Sequence, residues 1–316
     1  MTDIKETNDQ DQDLDLKEIL LVLFDCRRLI VAVTGTFIIG SLIYAMSLPN
    51  LYLSESLVVA MNDSGASNRA SASVGSLVKM TTGIQLQSAG SMSTGEVAVA
   101  TVKSRDFLNH LISNFEFVLP NIIAFKKFDA KTQSSILDSK MYDEKTKQWI
   151  SGKLTYLEVY PEYRGMVTAD YDMSAGVIYL AVEHESPVFA YDFLSLIIQE
   201  INSLRRERDL AESKKALDYL YKESGSGNIK AIEDTISSMI TSQLNTQMMA
   251  TIKPDYLIRP FDKPFIPLQK SGPFRSIIMI IGTLLGFILS STFVIALYLS
   301  TGKKITIKNL FLTNQE

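Results

Sequence analysis

The residues able to do chemistry are few in this sequence, and their spacing fits no common site. Gly225-Ser226-Gly227 opens like a dinucleotide fingerprint, but Lys230 stands where the third glycine belongs, and the segment joins two helical patterns. Gly302-Lys303 is no P-loop, because Leu297 occupies the position that requires a glycine, and no Gly-x-Ser-x-Gly elbow occurs. Cys26 is the single cysteine, so an internal disulfide is excluded. His110 and His184 lie at no ligand spacing from it or from each other, so no zinc site is expected. Both histidines read as surface or packing residues. A carboxylate pair for glycoside chemistry would hide among 35 acidic residues, yet nothing singles one out. Trp149 follows a charged turn at residues 143–148 and reads as a buried anchor rather than a sugar-stacking platform. The expectation is no catalytic residue, no metal and no cofactor.

If no site carries the function, the elements must. The 316 residues are 46% hydrophobic and 21% charged, with 31 basic against 35 acidic residues and a net charge of −4. That balance argues against nucleic-acid binding. The apolar residues are concentrated. No charge lies between Arg28 and Glu55, nor between Arg275 and Lys303, and each run exceeds the roughly 20 residues that cross a bilayer. A cleaved leader is the rival for the first run. It would need a net acidic n-region and an overlong apolar stretch, against the usual pattern. Lys17, Arg27 and Arg28 precede the first span, and the next basic residue beyond it is Arg69, which places the N-terminus in the cytoplasm. Both termini are then cytoplasmic. Residues 49–275 lie outside with 24 basic and 26 acidic side chains, a near-neutral loop.

Residues 1–28, with Asp11, Asp13 and Asp15 alternating, read as a short disordered arm that turns helical from Leu16. Tyr52–Ala60 reads as a strand, and residues 62–95, rich in Ser, Gly, Thr and Ala, as a mobile loop or a surface against a neighbouring subunit. A helical pattern follows over residues 94–117, capped by Thr94. Residues 157–160, 166–171 and 177–184 alternate as strands, the last two joined by a hairpin loop at residues 172–176. Ser186-Pro187 is an N-cap with a first-turn proline. Phe189, Phe193, Leu196, Ile197, Ile201 and Leu204 then mark one helical face. Residues 205–215 hold eight charges in eleven positions without a breaker, so the helix there is exposed nearly all round or packs through long side chains. Leu217, Leu220 and Tyr221 restore the face before residues 224–228 end it. A second helix carries Ile229, Ile232, Ile236, Met239, Ile240 and Leu244. At about 1.5 Å per residue the first helix reaches roughly 50 Å and should project away from the membrane.

Three features remain as candidate sites. Pro260, Pro264, Pro267 and Pro273 fix φ across residues 258–275, which predicts a stiff, polyproline-like strap leading to the second span. It reads either as a rigid linker or as a strap that sets the external domain against the membrane helices. Gly282 and Gly286, in GxxxG spacing inside that span, allow close helix approach or occur by accident. Arg205, Arg206, Arg208, Glu212, Lys214 and Lys215 are candidate oligomer contacts.

Taken in order, several segments resemble the Wzz-type chain-length determinants, the polysaccharide co-polymerases of bacterial inner membranes. Residues 103–108 (KSRDFL), Leu119-Pro120, residues 124–129 (AFKKFD) and residues 142–149 are similar to the family's first periplasmic part. Residues 182–190 and 201–205 resemble its junction of strand and long helix. Residues 242–250, the proline strap and the glycine-bearing span resemble its C-terminal signature. The likeness covers most of residues 15–300. It implies a base α/β domain near the membrane, a long helix extending from it, and bell-shaped, ring-like homo-oligomers. It also implies a Wzy-type polymerase as partner and control of the modal length of a lipid-linked glycan, without catalysis. The short C-terminal tail points to the kinase-free class.

The expected fold is therefore α+β, two transmembrane helices flanking a periplasmic α/β base domain with a long protruding helical region. The divisions are an arm at 1–28, spans at 29–48 and 276–301, a base domain at 49–186, long helices at 187–251, a strap at 252–275 and a tail at 302–316. The expected function is regulation of the chain length of a surface polysaccharide such as O antigen. A membrane-anchored periplasmic sensor is the alternative.

Overall fold

A computed structural model of the chain describes residues 23–61, 92–150, 152–224 and 230–301. Outside them lie most of the acidic arm, most of the small-residue loop at 62–95, the break at 225–228 and the C-terminal tail. In chain order the elements are α1 (Arg27–Ser47), β1 (Tyr52–Ala60), α2 (Thr94–Val102), α3 (Arg105–Asn114), α4 (Val118–Ile123), β2 (Phe125–Asp129) and β3 (Ser134–Leu137). There follow β4 (Tyr142–Asp143), β5 (Gln148–Trp149), α5 (Tyr156–Met166), β6 (Val167–Asp172), β7 (Val177–His184), α6 (Pro187–Ser224), α7 (Lys230–Ile252), β8 (Ile258–Pro260) and α8 (Arg275–Thr301). The chain forms two compact units, one of residues 1–50 with 272–316 and one of residues 51–271.

The first unit is a helix pair. α1 and α8 are long and apolar enough to cross a membrane, with mean hydropathies of 2.1 and 2.3 and most of their surface outward. Their outward side chains, such as Ile39, Ile43, Leu284 and Phe287, are apolar and exposed, the pattern suited to lipid.

The second unit is a four-stranded antiparallel sheet, in the order β6-β7-β1-β8, covered by helices. Helix α6 begins where Pro187 fixes φ and Ser186 Oγ accepts the Phe189 amide at 3.3 Å. Phe189, Phe193, Ile197 and Ile201 recur at four-residue spacing and are buried with Ile178, Leu180, Val182 and Ala169 of the sheet. Helices α2, α3 and α5 close the same core through Val102, Leu108, Leu111, Val159 and Tyr163. At 38 residues, α6 is about 57 Å long, far more than the core needs. Beyond Leu204 the buried side chains of α6 among the described residues are Asp209, Ser213 and Leu217, and those of α7 are Ile236 and Ala250. The two helices pair along their length and extend past the core. Leu244, expected on the buried face of α7, is exposed, as are Met248 and Ile252.

Two expectations from periodicity fail for local reasons. Residues 157–160 are helical, within α5. Glu158 reaches back to Thr155, its Oε2 accepting both the amide and the hydroxyl at 2.8 Å, which starts a helix whatever the alternation after it. The single pattern over residues 94–117 is two helices. Ser93, not Thr94, caps the first, through a capping box with Glu96, and Ser104 caps the second by accepting the Phe107 amide at 3.1 Å.

Three hairpins share one turn. Asp129, Asp143 and Asp172 each end a strand after an aromatic residue, and each carboxylate accepts the amide two residues on (Lys131, Lys145, Ser174). The last loop residue adopts positive φ in all three: Gln133 (50°), Lys147 (54°) and Gly176 (68°). Hydrogen bonds from each loop hold these three carboxyls below the ordinary aspartate range, chiefly the Lys131 amide at Asp129, the Thr146 hydroxyl at Asp143 and the Ser174 hydroxyl at Asp172.

Candidate functional site

The proline strap is stitched along β1 rather than strung free. Pro260 sits in β8 opposite Val58, at the open edge of the sheet, where its missing donor costs no ladder bond. The amides of Phe261 and Asp262 donate to Leu57 O at 2.8 and 3.0 Å. Ser56 Oγ donates to Asp262 O and Ser54 Oγ to Phe265 O, at 2.5 and 2.8 Å. Further on, Ser271 N donates to Leu51 O at 2.8 Å and Ser271 Oγ to Glu183 at 2.7 Å. Ser54 and Ser56 are fully buried and share the strand face of Val58. In a period-2 strand an inward serine must find a partner, and the strap carbonyls supply it. Pro264 is half-buried, Pro267 buried, and Pro273 half-buried in the other unit.

Asn202 holds the start of the strap to α6. Its Oδ1 accepts the amides of Leu257 and Ile258 at 2.7 and 2.9 Å, and its Nδ2 donates to Ile258 O and Ile198 O at 2.9 and 3.1 Å. All four hydrogen-bonding positions of the amide are used. One turn on, Arg206 donates to the carbonyls of Lys253 and Pro254 at the end of α7, where a cation also answers the helix dipole.

Between strap and helix lies an open groove of about 530 Å³, lined by Tyr191, Gln199, Arg206, Asp255, Pro260 and Pro264 among others. It unites two of the nominated groups, the strap prolines and the charged helix. The remaining charged residues fall elsewhere. Arg205 pairs with Asp209 at 3.0 Å, and Asp209 also receives Tyr256 OH at 2.8 Å. Arg208 and Glu212 pair with each other along the exposed helix at 2.9 Å, while Lys214 and Lys215 are exposed.

Gly282 and Gly286 face α1 of the same chain. A Cβ on Gly282 would lie 2.5 Å from Ser41 Cβ, and one on Gly286 2.7 Å from Phe37 Cβ, so any side chain there forces the helices apart. Nearby, the Thr34 and Ser290 hydroxyls meet at 3.5 Å.

The histidines are structural. His184 donates from Nε2 to Asn121 O and accepts the Ser186 amide at Nδ1, between the edges of Phe125 and Phe189. Burial pushes its pKa down to about 4. His110 Nε2 meets Glu200 at 2.8 Å while Asn114 Nδ2 donates to Nδ1, joining α3 to α6. Trp149 is half-buried against Tyr142, with ring centroids 5.1 Å apart. Among the described residues no three His, Cys, Asp or Glu side chains converge on a metal position.

Residues 12–115 match the family model Wzz, described as chain length determinant protein. No curated protein sequence matches the chain. Among solved structures, the chain is similar to a full-length bacterial polysaccharide co-polymerase, with TM-score 0.37 and 12% identity over 91% of this chain and 99% of that one. It is also similar to a fragment of WzzB, a polysaccharide co-polymerase from Salmonella Typhimurium, with TM-score 0.29 and 8% identity over 71% of this chain and 100% of that one. The matched segment runs through α1, β1, α2 and α3, and a second apolar helix follows the mixed domain. Residues 12–115 thus carry a Wzz chain length determinant domain, in a chain with two helices long and apolar enough to cross a membrane.

Proposed function

We propose that this chain sets the modal length of a lipid-linked surface glycan, such as O antigen, in Wzy-dependent polymerisation, and does so without catalysing a reaction. The observation that carries the reading is the Wzz domain over residues 12–115 in a chain with an apolar helix at each side of a mixed domain. In this reading both termini are cytoplasmic and residues 49–275 are periplasmic, as the basic residues before the first span favour. Residues 49–186 form the base, 187–251 the projecting helices and 252–275 the strap.

The working form is a ring-like homo-oligomer beside a Wzy-type polymerase and its lipid-linked glycan. α6 and α7 support this, because past the core they expose Leu244, Met248 and Ile252 together with Arg208, Glu212, Lys214 and Lys215. Arg205 and Arg206 are bonded within the chain, so their part in assembly is to fix the helix that neighbours contact. The strap transmits position: its serine and asparagine anchors tie the exit to the second span onto both sheet and long helix. Clean deletion of the gene is expected to leave polymer but broaden its lengths. Complete loss of polymer would assign the chain to polymerisation or ligation instead.

A further inference from the structure

The strap exposes apolar side chains that its own anchors prevent from folding inward. Between the bonds of Phe265 O to Ser54 and of Ser271 N to Leu51, residues 266–270 run free of backbone pairing in the bonds observed. Pro267 is buried and roots this loop, while Leu268 beside it is 95% exposed and Phe265 and Ile266 are exposed to 45% and 44%. Lys263 and Lys270 flank them, both exposed. Asp262 is the one acid within residues 261–275, against Lys263, Lys270 and Arg275.

The chain itself limits how far this loop lies from the bilayer. Ser271 is four residues before the second apolar helix, and Leu51, its hydrogen-bond partner, is four residues after the first. Four extended residues span at most about 14 Å, and Leu268 is at most about 25 Å of chain from Arg275. An aliphatic and aromatic tip between lysines, tethered this close to two spans, has the make-up of an interfacial anchor. The apolar tip enters the acyl boundary while the lysine stems let their charges reach anionic headgroups.

We infer that the 265–270 loop is a membrane-surface anchor, with Leu268 seated in the lipid interface and Lys263 and Lys270 at its headgroups. The inference rests on the two-span reading of the chain but not on its role in glycan length, so either can fail alone. The anchor adds a lipid contact to the strap and gives the external unit a footing on the bilayer.

The test uses the full chain in nanodiscs of phosphatidylethanolamine and phosphatidylglycerol, with Trp149→Phe removing the native fluorophore and Leu268→Trp reporting the loop. Tyr219→Trp, on the exposed far part of α6, is the control. With acyl-brominated lipids, the tryptophan at 268 is expected to lose at least about half its emission and the one at 219 almost none. A Lys263→Glu, Lys270→Glu background is expected to weaken the quenching at 268. Emission from position 268 that is water-like and unquenched overturns the inference. So does blue-shifted, unquenched emission, which assigns the loop to a contact with another copy or another protein.

Discussion

Asn202 pairs with Ile258 as one strand residue pairs with another, accepting its amide and donating to its carbonyl, both at 2.9 Å. This side chain ties α6 to the first residue of β8 and so to the strap. Asn202→Ala leaves the Leu257 and Ile258 amides unmatched in a buried position, at a cost of about 2–4 kcal/mol. Asn202→Asp keeps those acceptor bonds, loses the donor, and buries a charge. Thermal unfolding of the full chain in detergent is expected to show both variants below wild type.

The inward serines of β1 set how firmly the strap lies. Ser54→Ala with Ser56→Ala removes two side-chain bonds worth about 1 kcal/mol each. Faster hydrogen exchange is expected at Phe261 and Asp262, whose amides share Leu57 O, with little change in the core amides of α6.

Replacing Pro260, Pro264 and Pro267 together with alanine loosens the strap by restoring φ freedom. At wild-type protein levels and with assembly intact, the modal glycan length is expected to change. An unchanged ladder reduces the strap to a passive linker.

Much of this arrangement is readable in the sequence where a local device fixes it. Ser186-Pro187 marks the start of α6, and the charge-free runs mark the two apolar helices. The misread residues 157–160 also carry a local signal, Thr155 with Glu158, which outweighs the alternation that hides it. The first two hairpins go unread although aromatic-Asp-x-Lys-Thr stands at both Phe128-Asp129 and Tyr142-Asp143. The anchors of the strap are different in kind. Ser54 and Phe265 are 211 positions apart, and no period or cap links them. A buried serine pair in β1 and an asparagine in the apolar face of α6 announce that partners exist, not which ones.

pH acts through His184. Its folded pKa of about 4 lies below the unfolded value of about 6.5, so the unfolded chain takes up the proton first as pH falls. Stability is complete above about pH 6.5 and declines towards pH 4, by about 2 kcal/mol at pH 5 and about 3 kcal/mol in full. Urea midpoints at pH 7 and pH 5 are expected to separate for wild type and to converge in His184→Gln for this contribution.

The two glycines of the second apolar helix are tested by bulk. Gly286→Leu collides with Phe37, and Gly282→Leu with Ser41, so either is expected to lower the unfolding temperature in detergent by several degrees. Lys214→Ala, at an exposed position, is expected to leave both stability and assembly within about 0.5 kcal/mol of wild type.

The most direct measurement is the glycan ladder of the deletion strain carrying this chain on a plasmid at graded expression. The expected result is that a modal cluster reappears at the same repeat number as in the parent strain and sharpens as the protein accumulates. A distribution indistinguishable from that of the empty plasmid, with the full-length protein present in the membrane, would contradict the assignment of chain-length control to this protein.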